Sequence, residues 1–440
     1  MTLFINLPTA EISTAKTKVM PLSLLCVIAY LRDQGRKVDL IDLTTYPEES
    51  LYEYIRKNKP RMIGISVMVA GQMQSAIRVS IQIKQIIDTT IILGGIHASQ
   101  FAEDILTYCK DIDLVKSGEY ESYGGLCYRT RKGIHRGEKN RFADVNTLPM
   151  PAYDILNFEN YRSDNSTWHN PFKVDLGIRV PVFTSRGCPN VCNFCSVQTA
   201  MGYKYRGINA IKVVDMFEWL NQRGIVYFAI YDANFSQSQR RVIEICNEIR
   251  RRNLRIYLDI PAGLPVNVST SEMIDALVSV GLIRTKVAIE NPDDTIRNEV
   301  MHKRVTRDQI YKSIEIIRKH KQVFLTADFI IGMPEETEKS LQNTIEFIEG
   351  LDIDDIGINI ATPYPGTGLW DQCVRDKLFT VDYRTLWNDP GYSHTNLNRF
   401  TIKPYKVDIF NMSFFLGLIT ALKWQKQEQY EKRKDQKTCL

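Results

Sequence analysis

Short apolar runs alternate with amphipathic stretches from the first residues onward. In the first part of the chain the apolar runs are LFINL, KVDLIDL, RMIGISVMV, TIILGG and DIDLVKSGE, and the stretches between them have helical periodicity. Continuous Val, Ile and Leu runs are typical of strands that are buried on both faces, and crossover helices join such strands in parallel. The pattern predicts an α/β fold that begins with a doubly wound parallel sheet over residues 1–140.

A second series of strand and helix patterns follows over residues 176–370. It contains six strand–helix units, fewer than the eight that close a full barrel, so we predict a partial (β/α)6 barrel with its active side at the carboxyl ends of the strands. The periodicity weakens over residues 141–175, which we interpret as a linker. Residues 371–440 are predicted to form a small, mainly helical region with a charged tail. Its apolar helix is expected to dock on the protein, and a membrane-surface role is the alternative.

Composition and charge exclude several classes of protein. Hydrophobic residues make up 44% and charged residues 24% of the 440 positions, which is typical of a globular protein. A net charge of +5 is small for this length and does not favour a nucleic-acid partner. The sequence has no apolar run of membrane-spanning length and no signal-peptide pattern at its N-terminus. We therefore expect a cytoplasmic protein.

Three of the nine cysteines lie close together in the stretch FTSRGCPNVCNFCSVQ. Cys188, Cys192 and Cys195 follow the first strand of the second series with C-x3-C-x2-C spacing. A structural zinc site needs four protein ligands, and the proline and asparagines between these cysteines indicate a polar loop rather than a packed core segment. Three thiolates on a four-iron cluster leave one iron free for another ligand. The spacing therefore favours a [4Fe-4S] cluster in a reducing compartment.

This cysteine pattern, with the aromatic Phe194 before the last cysteine, is similar to the signature of the radical S-adenosylmethionine (SAM) enzymes. The resemblance implies that the free iron chelates the amino and carboxylate groups of SAM. It also implies that the reduced cluster cleaves the sulfonium to a 5′-deoxyadenosyl radical, with electrons from a flavodoxin- or ferredoxin-type donor. Direct contact between the iron and SAM allows a low-potential cluster to pass an electron to an otherwise inert sulfonium.

Further strand ends resemble the SAM-binding shell of the same family. In YDANF the resemblance places Asp232 and Asn234 at the methionine amino group, and in VAIEN it places Glu290 at the ribose hydroxyls. The segments FIIGMPEET and TPYPGT resemble the motifs that pack around the adenine, which gives Ile331, Gly332, Pro363 and Tyr364. Each segment alone is also consistent with an ordinary turn. Their order along the chain, each at a strand end, favours the SAM-binding shell.

The first domain resembles the Rossmann-like cobalamin-binding domain that precedes the barrel in one subgroup of these enzymes. Its strand ends carry the residues expected near the cofactor, which are Ser66, Gly94, Gly95, His97, Gly118 and Glu119. Paired glycines let backbone approach a flat ligand closely, whereas His97 is equally consistent with a helix cap or a core residue. The chain has no D-x-H-x2-G motif, so the resemblance implies cobalamin without a protein histidine beneath the cobalt, or a domain that has lost the cofactor.

The resemblance implies a cobalamin-dependent radical SAM enzyme that methylates an unactivated carbon or phosphorus centre of a small-molecule or peptide intermediate in biosynthesis. Oxidative cyclisation or ring rearrangement without methyl transfer is the alternative, and a non-catalytic sensor of redox state or corrinoid is a third interpretation. A methylthio-transferase is excluded because Cys26, Cys109 and Cys127 do not form a second ligand set. The sequence does not indicate which substrate is used.

Overall fold

The computed structural model describes residues 1–8, 18–116, 125–137, 142–162, 171–172 and 175–435. The chain divides into two compact units, which are treated separately below. The first unit contains Met1–Ile178, Thr199–Met201 and Asp382–Ser393, and the second contains Arg179–Gln198, Gly202–Val381 and His394–Leu440. The described part of the predicted linker thus belongs to the first unit, and the predicted C-terminal region is shared between the two.

The first unit is built on one sheet. Its strands are β1 Thr2–Asn6, β2 Val38–Asp42, β3 Met62–Ser66, β4 Thr90–Gly94, β5 Leu114–Lys116, β6 Leu126–Thr130 and β7 Gly133–Arg136. Its helices are α1 Leu22–Asp33, α2 Glu48–Asn58, α3 Met73–Ile86, α4 Ile96–Gln100 and α5 Ala102–Tyr108. Within the described residues the strand order is β2-β1-β3-β4-β5-β6-β7. The first five strands are parallel, which confirms the predicted doubly wound sheet, and β6 and β7 add an antiparallel hairpin that was not predicted.

Two of the residues predicted to be a linker, Ala152 and Tyr161, pack on this sheet domain. Ala152 N donates to Leu25 O at 3.0 Å, and the hydroxyl of Tyr161 donates to the carboxylate of Asp42 at 2.5 Å. Ala152 and Tyr161 are both buried, so water competes little for these contacts. These residues are therefore a structured part of the first unit.

A short segment from late in the chain also belongs to the first unit. It contains a 3-10 helix at Tyr383–Asn388, and Trp387 stacks on Tyr108 with ring centroids 5.6 Å apart and planes 5° apart. Tyr392 meets Phe101 edge to face at 6.0 Å. Aromatic pairs in these arrangements each contribute about 0.5–1.5 kcal/mol beyond their buried area. This segment was predicted to lie in the C-terminal region, and no periodic pattern in the sequence indicated that it returns to the first unit.

From Arg179 onward the chain forms a second parallel sheet. The strands are β8 Arg179–Val182, β9 Ser185–Arg186, β10 Arg206–Gly207, β11 Tyr227–Ile230, β12 Tyr257–Leu264, β13 Leu282–Glu290, β14 Phe324–Ile331 and β15 Asp355–Ile360. The helices after Arg179 are α6 Val197–Met201, α7 Ala210–Asn221, α8 Gln239–Arg251, α9 Ser271–Ser279, α10 Arg307–Arg318, α11 Glu338–Glu349, α12 Gly368–Arg375 and α13 Ile409–Asp435. The last three residues of α6 belong to the first unit. The described strands pair in the order β15-β14-β13-β12-β11-β8, all parallel, with β9 and β10 forming a separate antiparallel pair. The predicted six-unit partial barrel is confirmed.

The last helix, α13, docks on the second unit as expected. Its buried side chains include Leu416 and Ile419, and its lysines reach backbone carbonyls. Lys423 Nζ donates to Ile356 O at 2.5 Å, and Lys426 Nζ donates to Leu351 O at 2.6 Å. The helix is therefore held along β15 by apolar packing and by cationic hydrogen bonds. In the part of the chain that the structure describes, no helix, α13 included, is both long and apolar enough to span a bilayer.

Charged side chains lie within the second sheet, where barrels usually carry branched apolar residues. Arg179 Nη2 on β8 lies 2.6 Å from the carboxylate of Asp259 on β12, and Arg284 Nε on β13 lies 3.4 Å from the other oxygen of that carboxylate. The Asp259 side chain is 0% exposed and that of Arg284 is 3% exposed. One buried carboxylate thus serves two guanidinium groups.

Replacing Asp259 by alanine is expected to lower the free energy of unfolding by about 3–5 kcal/mol, because the change leaves buried positive charge without its partner. Denaturant unfolding of the purified protein would measure the loss. Asp352→Ala is the matched control, since Asp352 is about half exposed and its ion pairs are screened by water. A loss for Asp259→Ala no larger than that of the control would contradict the expected role of Asp259.

Candidate active site

The three predicted cysteines lie on one loop that follows β8 and β9 in the second unit. Cys188 N donates to Gly202 O at 3.2 Å, and Cys195 N donates to Cys192 O at 3.2 Å. The backbone before them turns at Gly187, whose φ is +76° and where a Cβ would lie 2.2 Å from Lys204 O. A side chain at this position would collide with backbone. The loop conformation is therefore fixed by the chain itself.

Phe194 anchors the same loop from its apolar side. Its ring packs on a buried hydrophobic cluster that includes Ile330, Met333 and Leu369. The backbone of Asn193 adds two hydrogen bonds, since its N–H donates to Met301 O at 3.1 Å and its carbonyl accepts from Leu369 N at 3.0 Å. Phe194, as part of the cysteine motif, is predicted to be a cofactor-binding residue, and that role stays a prediction; the structure gives its ring a packing role.

Asp232, just after β11, holds the chain immediately before the cysteine loop. Its carboxylate accepts hydrogen bonds from Thr184 N at 2.6 Å, Thr184 Oγ1 at 2.5 Å and Ser185 Oγ at 2.7 Å. The side chain is buried, and both of its oxygens already accept hydrogen bonds within the protein. The predicted contact between Asp232 and the methionine amino group stays a prediction, and the observed contacts make it a positioning residue.

Asn234 lies beside the first cysteine with one polar atom available. Its Nδ2 is 3.7 Å from Cys188 Sγ and 2.8 Å from Gln237 Oε1. Its Oδ1 is buried and has no hydrogen-bond partner among the described residues. Leaving a buried acceptor unpaired costs about 1–3 kcal/mol, so this oxygen is suited to a ligand that brings a donor. An ammonium group near Cys188 would satisfy it.

The three cysteines are free thiols, so a metal that binds them must displace their protons. Burial raises the pKa of Cys195 to about 12 and also raises that of Cys192, so both are thiols at neutral pH in the absence of metal. Iron takes thiolate ligands, and loading the site therefore releases protons. In the described part of the chain, His, Cys, Asp and Glu side chains do not converge in threes on a point that one metal ion would occupy. In a four-iron cluster each thiolate binds a separate iron, so the loop and its thiols fit that group.

Glu290, at the end of β13, forms an ion pair with Lys303. Lys303 Nζ donates to Glu290 Oε1 at 2.7 Å, and the two side chains are 13% and 11% exposed. Glu290 has a left-handed backbone with φ of 68°, which is uncommon for a residue other than glycine. Such strain is typical of functional sites. The fourth-strand acid predicted from sequence thus has a cationic partner that was not predicted.

A second buried acid, Glu336, ties the ends of β13 and β14 together. Its carboxylate accepts from Asn291 Nδ2 at 2.9 Å and from Gly332 N at 2.5 Å. Complete burial raises the pKa of Glu336 to about 7, although the hydrogen bonds from these donors lower it. Glu290 and Gly332, two of the predicted SAM contacts, therefore lie on strand ends that Glu336 connects. Glu336 was missed because acidic residues in a loop usually face solvent.

The remaining predicted SAM contacts lie at the ends of β14 and β15. The side chain of Ile331 is fully buried in the core. The backbone carbonyl of Ile331 accepts a hydrogen bond from Ala361 N at 2.8 Å. Pro363 is buried, and the Tyr364 hydroxyl lies 2.8 Å from His394 Nδ1. These strand ends neighbour each other in the sheet, as the prediction requires. Their contacts with an adenine stay a prediction.

In the first unit, the predicted cofactor residues differ in what surrounds them. Ser66 and Gly94 pair in register at the carboxyl ends of β3 and β4, and the space that a Cβ on Gly94 would enter is open to 4 Å. At Gly95, with φ of +97°, a Cβ would lie 2.4 Å from Val67 O. The lack of a side chain at Gly95 is thus required by the backbone of Val67, and a contact between Gly95 and cobalamin stays a prediction. Gly94 is the position that offers free space.

His97 is committed to a contact within the first unit. The side chain is buried, and Nε2 lies 2.8 Å from Trp387 O. Burial lowers the pKa of His97 to about 4, so the imidazole is neutral at physiological pH. This agrees with the core-histidine alternative from the sequence, and a contact with cobalamin stays a prediction. Gly118 and Glu119, the other predicted cofactor residues, lie outside the described residues.

Sequence comparison gives two matches that correspond to the two units. Residues 9–123 match the B12 binding domain family, and residues 182–348 match the Radical SAM superfamily. An uncharacterized methyltransferase of Pyrococcus horikoshii is 31% identical over 354 residues, which are 75% of this chain and 73% of that protein. An anaerobic magnesium-protoporphyrin IX monomethyl ester cyclase of Cereibacter sphaeroides is 25% identical over 377 residues, which are 81% of this chain and 61% of the cyclase.

Structural comparison shows a shared fold. The structure of TsrM, a radical S-adenosylmethionine methyltransferase from Kitasatospora setae with tryptophan substrate and a SAM analog bound, superposes with a TM-score of 0.73. The match covers 96% of this chain and 89% of that chain at 17% identity, a level that shows a shared fold. Together with the two domain matches, the cysteine loop and the relative that is 31% identical, this identifies the chain as a member of the radical SAM superfamily that carries a B12-binding domain, an enzyme whose cofactors are a [4Fe-4S] cluster, SAM and cobalamin.

Proposed function

We propose that the protein transfers a methyl group from SAM to an unactivated carbon or phosphorus centre of a small-molecule or peptide substrate. The observation that carries this proposal is the thiol loop beside the unpaired Oδ1 of Asn234, in a chain whose first unit is a B12-binding domain. Relatives named as methyltransferases support the reaction type. The cluster and SAM supply one-electron cleavage of a carbon–sulfur bond, and cobalamin supplies a transferable methyl group.

In this proposal the chain's own residues bind and orient the cofactors. Cys188, Cys192 and Cys195 ligate three irons. The Oδ1 of Asn234 accepts a hydrogen bond from the methionine ammonium of SAM, and the Glu290 carboxylate accepts from the ribose hydroxyls. The strand ends with Ile331, Gly332, Pro363 and Tyr364 line the adenine, and Ser66 and Gly94 border the corrinoid.

The proposal extends to partners and cellular location. A one-electron step requires a low-potential donor, for which we propose a flavodoxin- or ferredoxin-type protein. The eight described cysteines are all free thiols, which is consistent with a reducing compartment and supports the cytoplasm as the location. TsrM, the structural neighbour, has tryptophan as its bound substrate, which supports a small molecule as the substrate here.

Replacing Glu290 by glutamine is expected to weaken SAM binding by about 1.5–3 kcal/mol, the usual cost of losing hydrogen bonds to a charged group. Isothermal titration of the cluster-loaded protein with SAM would measure the change, and the iron content should stay at the wild-type level. Glu315→Gln is the control, because Glu315 lies on α10, outside the proposed site. Unchanged affinity in the Glu290 variant would show that this carboxylate does not contact SAM.

Turnover with methyl-labelled SAM in an extract of the native organism tests the reaction itself. The proposal predicts a product that gains one labelled methyl group, together with 5′-deoxyadenosine. The relation to the Cereibacter sphaeroides cyclase keeps ring formation as a second candidate, which would give 5′-deoxyadenosine and a product without label. A protein that binds its cofactors but never cleaves SAM would support the sensor interpretation instead.

A further inference from the structure

The segment that follows Glu290 has an unusually strained backbone. Besides Glu290, both His302 and Arg304 have left-handed conformations, with φ of 55° and 57°. Residues Ile296–Val300 form a π-helix. This conformation is rare in proteins overall, and where it occurs it is often at a functional site. Left-handed conformations outside glycine cost about 1–3 kcal/mol each and persist only where the surrounding structure enforces them. Lys303 lies between two such residues.

A buried arginine holds this segment closed. Arg297 is 0% exposed, and its guanidinium donates from Nε to Val305 O at 2.7 Å and from Nη1 to Asn291 O at 2.9 Å. Lys303 N in turn donates to Arg297 O at 3.0 Å. The backbone carbonyls of residues 291 and 305 therefore both accept hydrogen bonds from the Arg297 side chain. This arrangement fixes the backbone position of Lys303.

This segment presents the Lys303 ammonium to Glu290, and its backbone also contacts the cysteine loop. The Glu290 contact is 2.7 Å, and the cysteine loop is tied to Met301 O through Asn193 N at 3.1 Å, two residues before Lys303. Burial disfavours the charged form of Lys303, whereas the charge and the hydrogen bond of the Glu290 carboxylate favour it. Lys303 is thus paired with Glu290 on a segment whose backbone is hydrogen-bonded to the cysteine loop.

We infer that Lys303 and Glu290 together set the reduction potential of the cluster, the ammonium favouring the added electron and the carboxylate partly offsetting it. This inference rests on the proposed function, which places the cluster on Cys188, Cys192 and Cys195. Reduction adds one electron from a low-potential donor to the oxidised cluster, and no bond forms or breaks. A fixed positive charge stabilises the more negative reduced state, and low solvent exposure keeps the interaction from being screened.

The inference is tested by redox titration of the reconstituted protein with dithionite, following the reduced cluster by electron paramagnetic resonance. Lys303→Met is expected to lower the equilibrium constant for reduction about tenfold, which is a shift of about 59 mV to lower potential for a one-electron couple. Glu290→Gln is expected to shift the potential in the opposite direction. Lys303→Arg keeps the charge and is expected to stay near the wild-type value.

Arg304→Gln is the matched control, since it removes one positive charge from the neighbouring residue while that side chain is exposed to solvent. Its potential should match the wild type. Unchanged potential in Lys303→Met, or shifts of the same sign in Lys303→Met and Glu290→Gln, would overturn the inference. If Lys303→Met fails to assemble a cluster, Glu290→Gln decides alone, because only an upward shift supports the inference. A wild-type protein without a [4Fe-4S] signal would instead overturn the proposed function itself.

Discussion

Replacing any one of Cys188, Cys192 and Cys195 by alanine is expected to abolish the broad visible absorption of a four-iron cluster and all formation of 5′-deoxyadenosine. In the proposed site each thiolate is the protein ligand to one iron, and within the described residues no other cysteine lies on the loop to replace it. The fold should persist, because the loop is also held by Gly187, Asn193 and Asp232. Iron analysis, absorption spectra and product assays after anaerobic reconstitution would measure the loss.

Cys246→Ala is the matched control for the cysteine variants. Cys246 lies on α8 in the same unit, is fully buried and is a free thiol, so its substitution removes the same atoms from the core. Its iron content and spectrum should equal those of the wild type. If any one of the three loop variants behaved like this control, that cysteine would not be a ligand of the cluster.

Replacing Gly94 by valine is expected to prevent corrinoid binding while leaving both units folded. The added side chain enters space that is open to 4 Å, at the carboxyl end of β4 where a doubly wound sheet binds its ligand. The wild-type protein should hold about one corrinoid per chain, as one sheet-end pocket implies. Because the chain has no D-x-H-x2-G motif, the bound corrinoid should have the spectrum of a form without an imidazole lower ligand. Absorption spectra of protein purified with cobalamin would measure both the amount and the ligation.

Two further glycine variants make the Gly94 result interpretable. Gly417→Val adds the same side chain to open space on α13 in the second unit and should not change corrinoid content. Gly95→Val is expected to destabilise the first unit, since its Cβ would lie 2.4 Å from Val67 O, so its loss of corrinoid would not report on the binding surface. A Gly94→Val protein with full corrinoid content would show that the ring does not approach this strand end.

The sequence predicts those strands whose side chains are buried on both faces, because such strands are continuous apolar runs. The hairpin of β6 and β7 was missed for the opposite reason. Its strands are exposed at most positions and carry the basic stretch YRTRKGIHR, so no apolar period marks them. Pairing with β5 stabilises them through backbone hydrogen bonds that composition does not reveal.

The same distinction separates the predicted and missed parts of the active site. The cysteine triad could be predicted because its chemistry is encoded within eight consecutive positions. Lys303 and Arg297 act through contacts made when the chain closes on itself, and both are charged residues that composition would place in solvent. The charged pattern MHKRV after the fourth strand was the available signal for Lys303, and only the left-handed backbone around it shows its orientation to be enforced.

The docking of α13 along β15 has a consequence for the behaviour of shortened forms of the protein. In the described sheet β15 is an edge strand, and Lys423 of the helix caps one of its carbonyl groups. Removal of residues 409–435 would uncover this edge together with the apolar surface that Leu416 and Ile419 now cover. Exposed edges of this kind recruit strands from other molecules. Chains that are cut before α13 are therefore expected to form insoluble aggregates during expression, even though all three proposed cluster ligands are still present.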